Sequence, residues 1–455
     1  MGRRLVVVGG DAGGMAAATV ARRHDPDLDI VALERGRWTS YSACGIPYVV
    51  GGEVKRLEDL VVRRPQELRD SFGIDVRMRC EAMAIDLDAG KVEARNHELG
   101  RTFSLGFDLV HLGTGARPRR PPLPGIDLPF VGGVQTLDDA GLLLRHVSNA
   151  PAWAPTGVNR VVVVGAGYIG LEMAEAFVRR GSSVTVVTAS SEVMPTLDPD
   201  MGAHVTKVMR GFGITVRCGT QVTGFEPGSV QTGDGSLPAD LVILGLGVAP
   251  NAQLAEEAGL TLGAAGAIRV DRRQRTSAEV AFAAGDCCTS RHLISGREVH
   301  VALGTVANKQ ARVAGANLGG GYATFAGVLG TAVTKVCDLE VGRTGLSEAE
   351  AAAAGFSSVA ATIESTTTAG YLHESAGKIH VKVVAERGSG RLLGAQIVGR
   401  GPGAAKRIDV VATALTAGMD CAEVAELDLG YAPPFSPLWD PVAIAARKAA
   451  SLATG

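Results

Sequence analysis

Aromatic side chains are scarce. Phe, Trp and Tyr make up 4% of the 455 residues, so Ala, Val, Leu and Ile must build the cores. No run of roughly 18 apolar residues is free of charges and turn signals, so no membrane span is expected. Long basic runs are also missing and the formal net charge is -2, which argues against nucleic acid and anionic membrane as partners. The seven cysteines are odd in number and scattered at 44, 80, 218, 287, 288, 337 and 421, a poor disulfide framework for a chain of this size. The chain passes from Arg3 and Arg4 straight into a buried-strand pattern, with no signal peptide expected ahead of it. A cytoplasmic protein is the expectation.

Glycine, by contrast, is abundant at 60 residues, and no collagen-like period or Gly/Ser tract absorbs it. That excess implies many tight turns and close backbone approaches to a ligand. The length implies two to four domains.

The glycines fall into two informative clusters. Residues 5–8 form an apolar run, Gly-Gly-Asp-Ala-Gly-Gly follows at 9–14, and residues 15–23 read as an Ala-rich helix. Strand, glycine turn and helix are the context of a dinucleotide fingerprint, with the pyrophosphate at the helix N-terminus. Gly9 permits the tight turn and Gly14 lets the helix pack on the strand, while Asp11 stands where the second glycine is usual. The next strand, 29–34, ends in Glu34, at the spacing expected of a carboxylate that binds a ribose diol.

The pattern returns at 161–164, with all three glycines of the turn in place at 165, 167 and 170. The strand after it, 183–188, ends in Thr188 rather than an acid, and no arginine follows closely. A nicotinamide dinucleotide is implied, with NADH and NADPH both open.

Further segments carry a resemblance. Residues 108–118 and 240–251 look like the two crossings between nucleotide domains. Residues 280–286 look like a second FAD signature ending in Asp286, and 303–310 like a helix start near a flavin ring. With both fingerprints in order, the chain resembles the pyridine nucleotide–disulfide oxidoreductase superfamily along essentially its whole length. The resemblance implies an α/β fold with two Rossmann-like nucleotide-binding domains, for FAD and for NADPH or NADH, plus a C-terminal α+β dimerisation domain. It assigns residues 1–115 and 251–320 to the FAD domain, 116–250 to the NAD(P)H domain and 325–455 to the dimerisation domain. Strands are expected at 331–336, 378–384 and 392–398, with helices around Glu348 and at 409–416. No appended rhodanese domain is expected, and no metal.

The cofactor contacts implied lie in four places. The first turn and its strand give Gly9, Gly10, Ala12, Gly13, Gly14, Glu34 and Arg35. The crossings give Thr114, Gly115 and Gly247. The second turn and helix give Gly165, Gly167, Tyr168, Ile169, Gly170 and Glu172, with Tyr168 covering the flavin until nicotinamide displaces it. The later signatures give Gly285, Asp286, Gly304 and Thr305.

The branch is set by the segment 40–48, where Cys44 stands alone, without the second cysteine of glutathione-reductase-like members. This resembles the coenzyme A disulfide reductases and their NADH oxidase and polysulfide reductase relatives. Ala12 occupies the place of a histidine found in the peroxidases and water-forming oxidases. Tyr431, and more loosely Tyr371, resemble tyrosines that reach the partner's active cysteine across a homodimer. Ser40, Ser42, Arg63 and Arg64 are the candidate substrate contacts. The implied reaction passes electrons from NAD(P)H through FAD to sulfur at Cys44, whose thiolate attacks a small disulfide, persulfide or polysulfide, coenzyme A disulfide favoured. A lone cysteine rests as a mixed disulfide or a sulfenic acid. An NADH oxidase and a ferredoxin reductase-like electron donor to a partner protein are the alternatives.

Overall fold

The computed structural model describes residues 2–148, 157–374, 376–401 and 403–455. Two parallel five-stranded sheets share one plan. In the first, the order across the sheet is Ala281–Ala283, Leu109–Leu112, Arg4–Val8, Asp29–Glu34 and Ile74–Met78. In the second it is Thr215–Arg217, Ser183–Val187, Arg160–Val164, Leu241–Leu244 and Val131–Gly133. The central strands Arg4–Val8 and Arg160–Val164 are buried on both faces, as their continuous valine runs require. Each feeds a glycine turn at the carboxyl edge where strand order reverses, the place at which such sheets hold ligands.

The helix after the first turn is Ala12–His24, three residues longer at its start than the Ala-rich run suggested. Gly13 and Gly14 are themselves helical, because only residues without a side chain let this turn wind directly off the strand. The second sheet strand stops at Val187, leaving Thr188 just beyond it.

The two crossings between the sheets pair with each other, Ala116–Pro118 antiparallel to Val248–Pro250. The C-terminal region is an antiparallel sheet ordered Ala332–Val336, Leu339–Gly345, Leu392–Arg400, Lys378–Glu386 and Ser358–Thr366. The helices Ile408–Ala417 and Pro441–Thr454 cover it. Lys382 of that sheet is buried and bridges to Asp198 at 3.2 Å and Asp200 at 2.8 Å, and also to Glu348. The two aspartate pairs lock the C-terminal sheet to the second nucleotide fold. No helix among the described residues is long and apolar enough to cross a membrane.

Candidate active site

Both glycine turns are shaped by what stands behind each glycine. Gly9 has φ +113°, and a Cβ there would fall 2.1 Å from the Gly113 carbonyl oxygen. A Cβ on Gly14 would fall 1.9 Å from the Gly9 oxygen, and one on Gly13 2.7 Å from that of Ala284. The second turn repeats two of these closures: Gly165 (φ +101°) against Gly245 and Gly170 against Gly165, each at 2.3 Å. Gly167 differs. Its φ is -83°, and beyond its two chain neighbours nothing lies within 4 Å of the Cβ position. The open space lies at the N-terminus of the helix Tyr168–Arg179, where free N–H groups favour a phosphate.

Glu34 is fixed by the turn it faces. Gly10 N donates to its Oε2 at 2.7 Å and Gly36 N to its Oε1 at 2.6 Å, while burial pushes its pKa up. Glu34 and Arg35 wall a 470 Å³ cavity together with Trp38, Tyr41, Arg79 and Arg117. Asp11, in the place of the middle glycine, accepts the Tyr41 N–H at 3.0 Å. Burial, with Glu34 and Asp286 adding to it, raises the Asp11 carboxyl to about 6.

At the crossings, Thr114 Oγ1 donates to Asn251 O at 2.6 Å and Asn251 Nδ2 donates back to Thr114 O at 2.9 Å. The Thr114 hydroxyl therefore holds the two crossings together, beside Gly115 and Gly247 with φ of +67° and +79°. Gly285 N donates to Gln310 Oε1 at 3.0 Å, and Gln310, fully buried, also donates to Thr289 O and Ser290 Oγ. The next residue, Asp286, carries a carboxylate with no hydrogen bond among the described residues and a pKa raised by burial. Gly304 and Thr305 are exposed at the start of the helix Gly304–Leu318. A walled cavity at Glu34, a turn closed to side chains and an unpaired carboxylate at Asp286 fit the FAD expected from the sequence.

Cys44 lies in the turn Ala43–Gly45 ahead of the helix Ile46–Gly51, and it is exposed. All seven cysteines are free. Ser42 N donates to Leu60 O at 2.9 Å and Val62 N to Ser40 O at 2.7 Å, so the segment is clamped on both sides. Ser40 holds φ +47°, and its N–H donates to Gly10 O at 2.9 Å, tying the cysteine segment to the first glycine turn. Desolvation by the surrounding protein pushes the Cys44 thiol pKa up, and the carboxylates of Glu172 and Asp286 add to it. Glu172 belongs to the second nucleotide fold and Asp286 completes the first. The thiol thus stands within electrostatic reach of both.

Tyr168 and Ile169 pack half-buried at the start of their helix. The Tyr168 hydroxyl is shielded from solvent without a hydrogen-bond partner, with the equally unpartnered Thr196 hydroxyl as its neighbour. Glu172 Oε1 accepts a 2.7 Å bond from Thr334 of the C-terminal sheet. Among the substrate candidates, Ser42 is exposed, Arg63 lies 5.0 Å over the Phe72 ring and Arg64 is exposed where the helix Pro65–Phe72 begins. Tyr371 and Tyr431 are exposed and near each other, Tyr431 adding to a rise in the Tyr371 pKa that desolvation leads. Within one chain the groups acting most on Cys44 are carboxylates rather than these tyrosines.

Sequence reasoning missed three contributors. His111 is fully buried and its Nε2–H donates to Gly13 O at 3.0 Å, propping the first turn from the neighbouring strand. Gln310 organises the loop around Asp286, and Thr334 positions Glu172. Each acts over 25 to 162 residues of sequence, a separation that no local pattern reports.

Two dinucleotide turns with an exposed, unpaired thiol between them define a thiol-bearing, nucleotide-dependent oxidoreductase. The chain belongs to the pyridine nucleotide-disulphide oxidoreductase family, whose pattern matches residues 3–311, and that family's dimerisation domain matches residues 331–441. It is 37% identical over 450 residues, 98% of each chain, to the CoA-dependent NAD(P)H sulfur oxidoreductase of Pyrococcus furiosus. It is 34% identical over 451 residues, again 98% of each, to an NADH oxidase of Methanocaldococcus jannaschii. The solved structure of an NAD-dependent persulfide reductase from A. fulgidus superposes with a TM-score of 0.93 at 38% identity, covering 98% of this chain and 82% of that one.

Proposed function

We propose that the enzyme uses NADH or NADPH to reduce the sulfur–sulfur bond of a small disulfide, persulfide or polysulfide at Cys44, with FAD held in the first fold. One observation carries the reading: an exposed thiol stands where Glu172 of one nucleotide fold and Asp286 of the other both act on it. The sulfur chemistry named for the relatives supports the same choice, and the CoA-dependent relative favours coenzyme A as the carrier thiol.

Bound FAD supplies the two-electron transfer between dinucleotide and sulfur. Residues 1–115 and 251–320 would form its domain, where Glu34 would hold the ribose, Asp286 the ribityl chain, and Gly304 and Thr305 the ring. Gly167 in the domain 116–250 would receive the dinucleotide, and Glu172 would orient its nicotinamide. The Cys44 thiolate attacks the nearer substrate sulfur, forming a mixed disulfide as the sulfur–sulfur bond breaks. The leaving sulfur takes a proton from a tyrosine hydroxyl, Tyr431 first and Tyr371 second, contributed by the other copy of a homodimer. Two electrons and two protons then release the second thiol, restore the Cys44 thiolate and reprotonate the tyrosine. Ser40, Ser42, Arg63 and Arg64 flank the substrate. Seven unpaired cysteines suit a reducing compartment such as the cytoplasm.

A second reading, oxygen reduction without the thiol, is favoured by the raised Cys44 pKa and by the relative named NADH oxidase. Cys44→Ser separates the two. Loss of NAD(P)H-dependent reduction of coenzyme A disulfide and polysulfide, with flavin bleaching by NAD(P)H retained, supports the thiol mechanism. Unchanged turnover would sink it and promote the oxidase.

A further inference from the structure

The chain order leaves the choice between NADH and NADPH open, and the sheet order bears on it. In a Rossmann fold an acid at the end of the second strand selects NAD by binding the 2′-hydroxyl and repelling a 2′-phosphate. Thr188 stands there, buried and neutral, with its Oγ1 accepting Ser190 N at 3.3 Å. The residues that follow, Ala189, Ser190 and Ser191, carry no charge.

The neighbouring strand supplies what the sequence lacks. Thr215–Arg217 pairs in parallel with Ser183–Val187, in a register that sets Arg217 beside Val187, and Thr188 N donates to Arg217 O at 2.9 Å. Arg217 is therefore at the carboxyl edge of the sheet, next to the selecting position. Val216 is buried in the core, and Arg217, of opposite orientation on the pleat, is exposed. Its guanidinium makes no hydrogen bond or ion pair among the described residues, whereas Arg210 close by donates to Val216 O at 3.3 Å. Of the acids near this edge, Glu192 and Asp234 each accept a threonine hydroxyl, from Thr206 at 2.5 Å and Thr220 at 3.3 Å.

We propose that Arg217 recognises the 2′-phosphate of NADP(H), so that the protein takes NADPH at least as readily as NADH. A free guanidinium offers a fork of donors that matches phosphate, and no carboxylate stands at position 188 to oppose it. The inference deepens the functional reading and rests on its claim that a nicotinamide dinucleotide is the electron donor.

The test is binding, read on the oxidised FAD-containing enzyme by calorimetry with NADP+, NAD+ and 2′,5′-ADP, with no sulfur acceptor present. Arg217→Ala is expected to weaken NADP+ and 2′,5′-ADP about tenfold or more while NAD+ changes less than about twofold. Arg217→Lys is expected to recover most of the loss at low salt and less at high salt. Thr188→Asp is expected to invert the preference toward NAD+. In steady state, Arg217→Ala should raise KM for NADPH and leave kcat unchanged. Equal effects on both dinucleotides, or none on either, overturn the assignment, as does a wild type binding NADP+ roughly ten times more weakly than NAD+. Because no acceptor takes part, failure here is separate from failure of the sulfur reading, which the Cys44→Ser assay detects.

Discussion

The Thr334 hydroxyl donates a 2.7 Å hydrogen bond to Glu172 Oε1, joining residues 162 apart in sequence. The bond crosses from the C-terminal sheet to the helix that begins at the dinucleotide turn, and it ends on a carboxylate that acts on Cys44. Burial pushes the Glu172 pKa up, and the Thr334 bond opposes that rise.

Thr334→Val removes the opposing bond at nearly constant volume. The Glu172 pKa should climb further, and hydrogen bonds to charged groups suggest a loss of about 1–2 kcal/mol at neutral pH. The sign follows from linkage. A carboxyl with a raised folded pKa destabilises its ionised form, so the penalty is present at pH 7 and fades as pH falls toward the ordinary value of 4.5. Thermal midpoints of wild type and variant should therefore differ at pH 7 and converge near pH 4.5. A gap of constant size across that range would contradict the role given to Thr334.

His111 predicts a second pH dependence. Complete burial drops its pKa from 6.5 to about 4, because a charged ring there would be stripped of water with Nδ1 lacking a partner, and the bond from Nε2 to Gly13 O only partly opposes the drop. Below 6.5 the unfolded chain takes up a proton that the folded chain refuses, so stability falls as pH drops from 6.5 to about 4. A depression of that size corresponds to at most roughly 3 kcal/mol over the window. His111→Gln keeps a donor but does not titrate, and its midpoint should fall less steeply between pH 6.5 and 4. Parallel curves for the two proteins would show that His111 does not titrate in the way described.

Both nucleotide folds were legible because their constraints are local. Gly9 and Gly14 are five residues apart, a Cβ on Gly14 would meet the Gly9 oxygen, and Glu34 lies at the end of the very next strand, so spacing alone reports them. The family resemblance added Cys44, which no periodicity marks. What stayed hidden is made of contacts between distant segments. Thr334 on Glu172, His111 under Gly13 and Arg217 beside Thr188 are brought together by sheet order and domain docking, which strand patterns do not state. The first helix was placed three residues late for a different reason, since helical glycines look like turn glycines in sequence.

Tyr431 acts electrostatically on Tyr371, which sets the two side chains close to each other on the surface. Tyr431→Phe and Tyr371→Phe should each slow disulfide turnover, by roughly 10- to 100-fold for loss of a proton donor, while NAD(P)H-dependent dye reduction is unchanged. The double variant should be little worse than the poorer single one, since the two neighbouring hydroxyls would serve the same leaving sulfur. Multiplied effects would assign the two hydroxyls separate tasks. Loss of dye reduction as well would place the defect in the nucleotide folds instead.

Gly14 and Gly167 occupy equivalent turns, yet alanine should do opposite things at the two. At Gly14 the new Cβ would meet the Gly9 oxygen at 1.9 Å, a contact relieved only by moving the first turn itself. Gly14→Ala should therefore emerge as colourless apoprotein or fail to fold. At Gly167 the backbone is extended with φ -83° and the Cβ meets nothing within 4 Å, so the chain tolerates the methyl group. Glycine there suits a ligand that must approach the backbone, as a pyrophosphate does in Rossmann turns. Gly167→Ala should be yellow, with a thermal midpoint close to wild type, but should bind NAD(P) about tenfold or more weakly by calorimetry. Flavin content and dinucleotide affinity thus separate along the two turns. A Gly167→Ala protein with wild-type affinity would mean that the open face of the second turn is not where the dinucleotide lies.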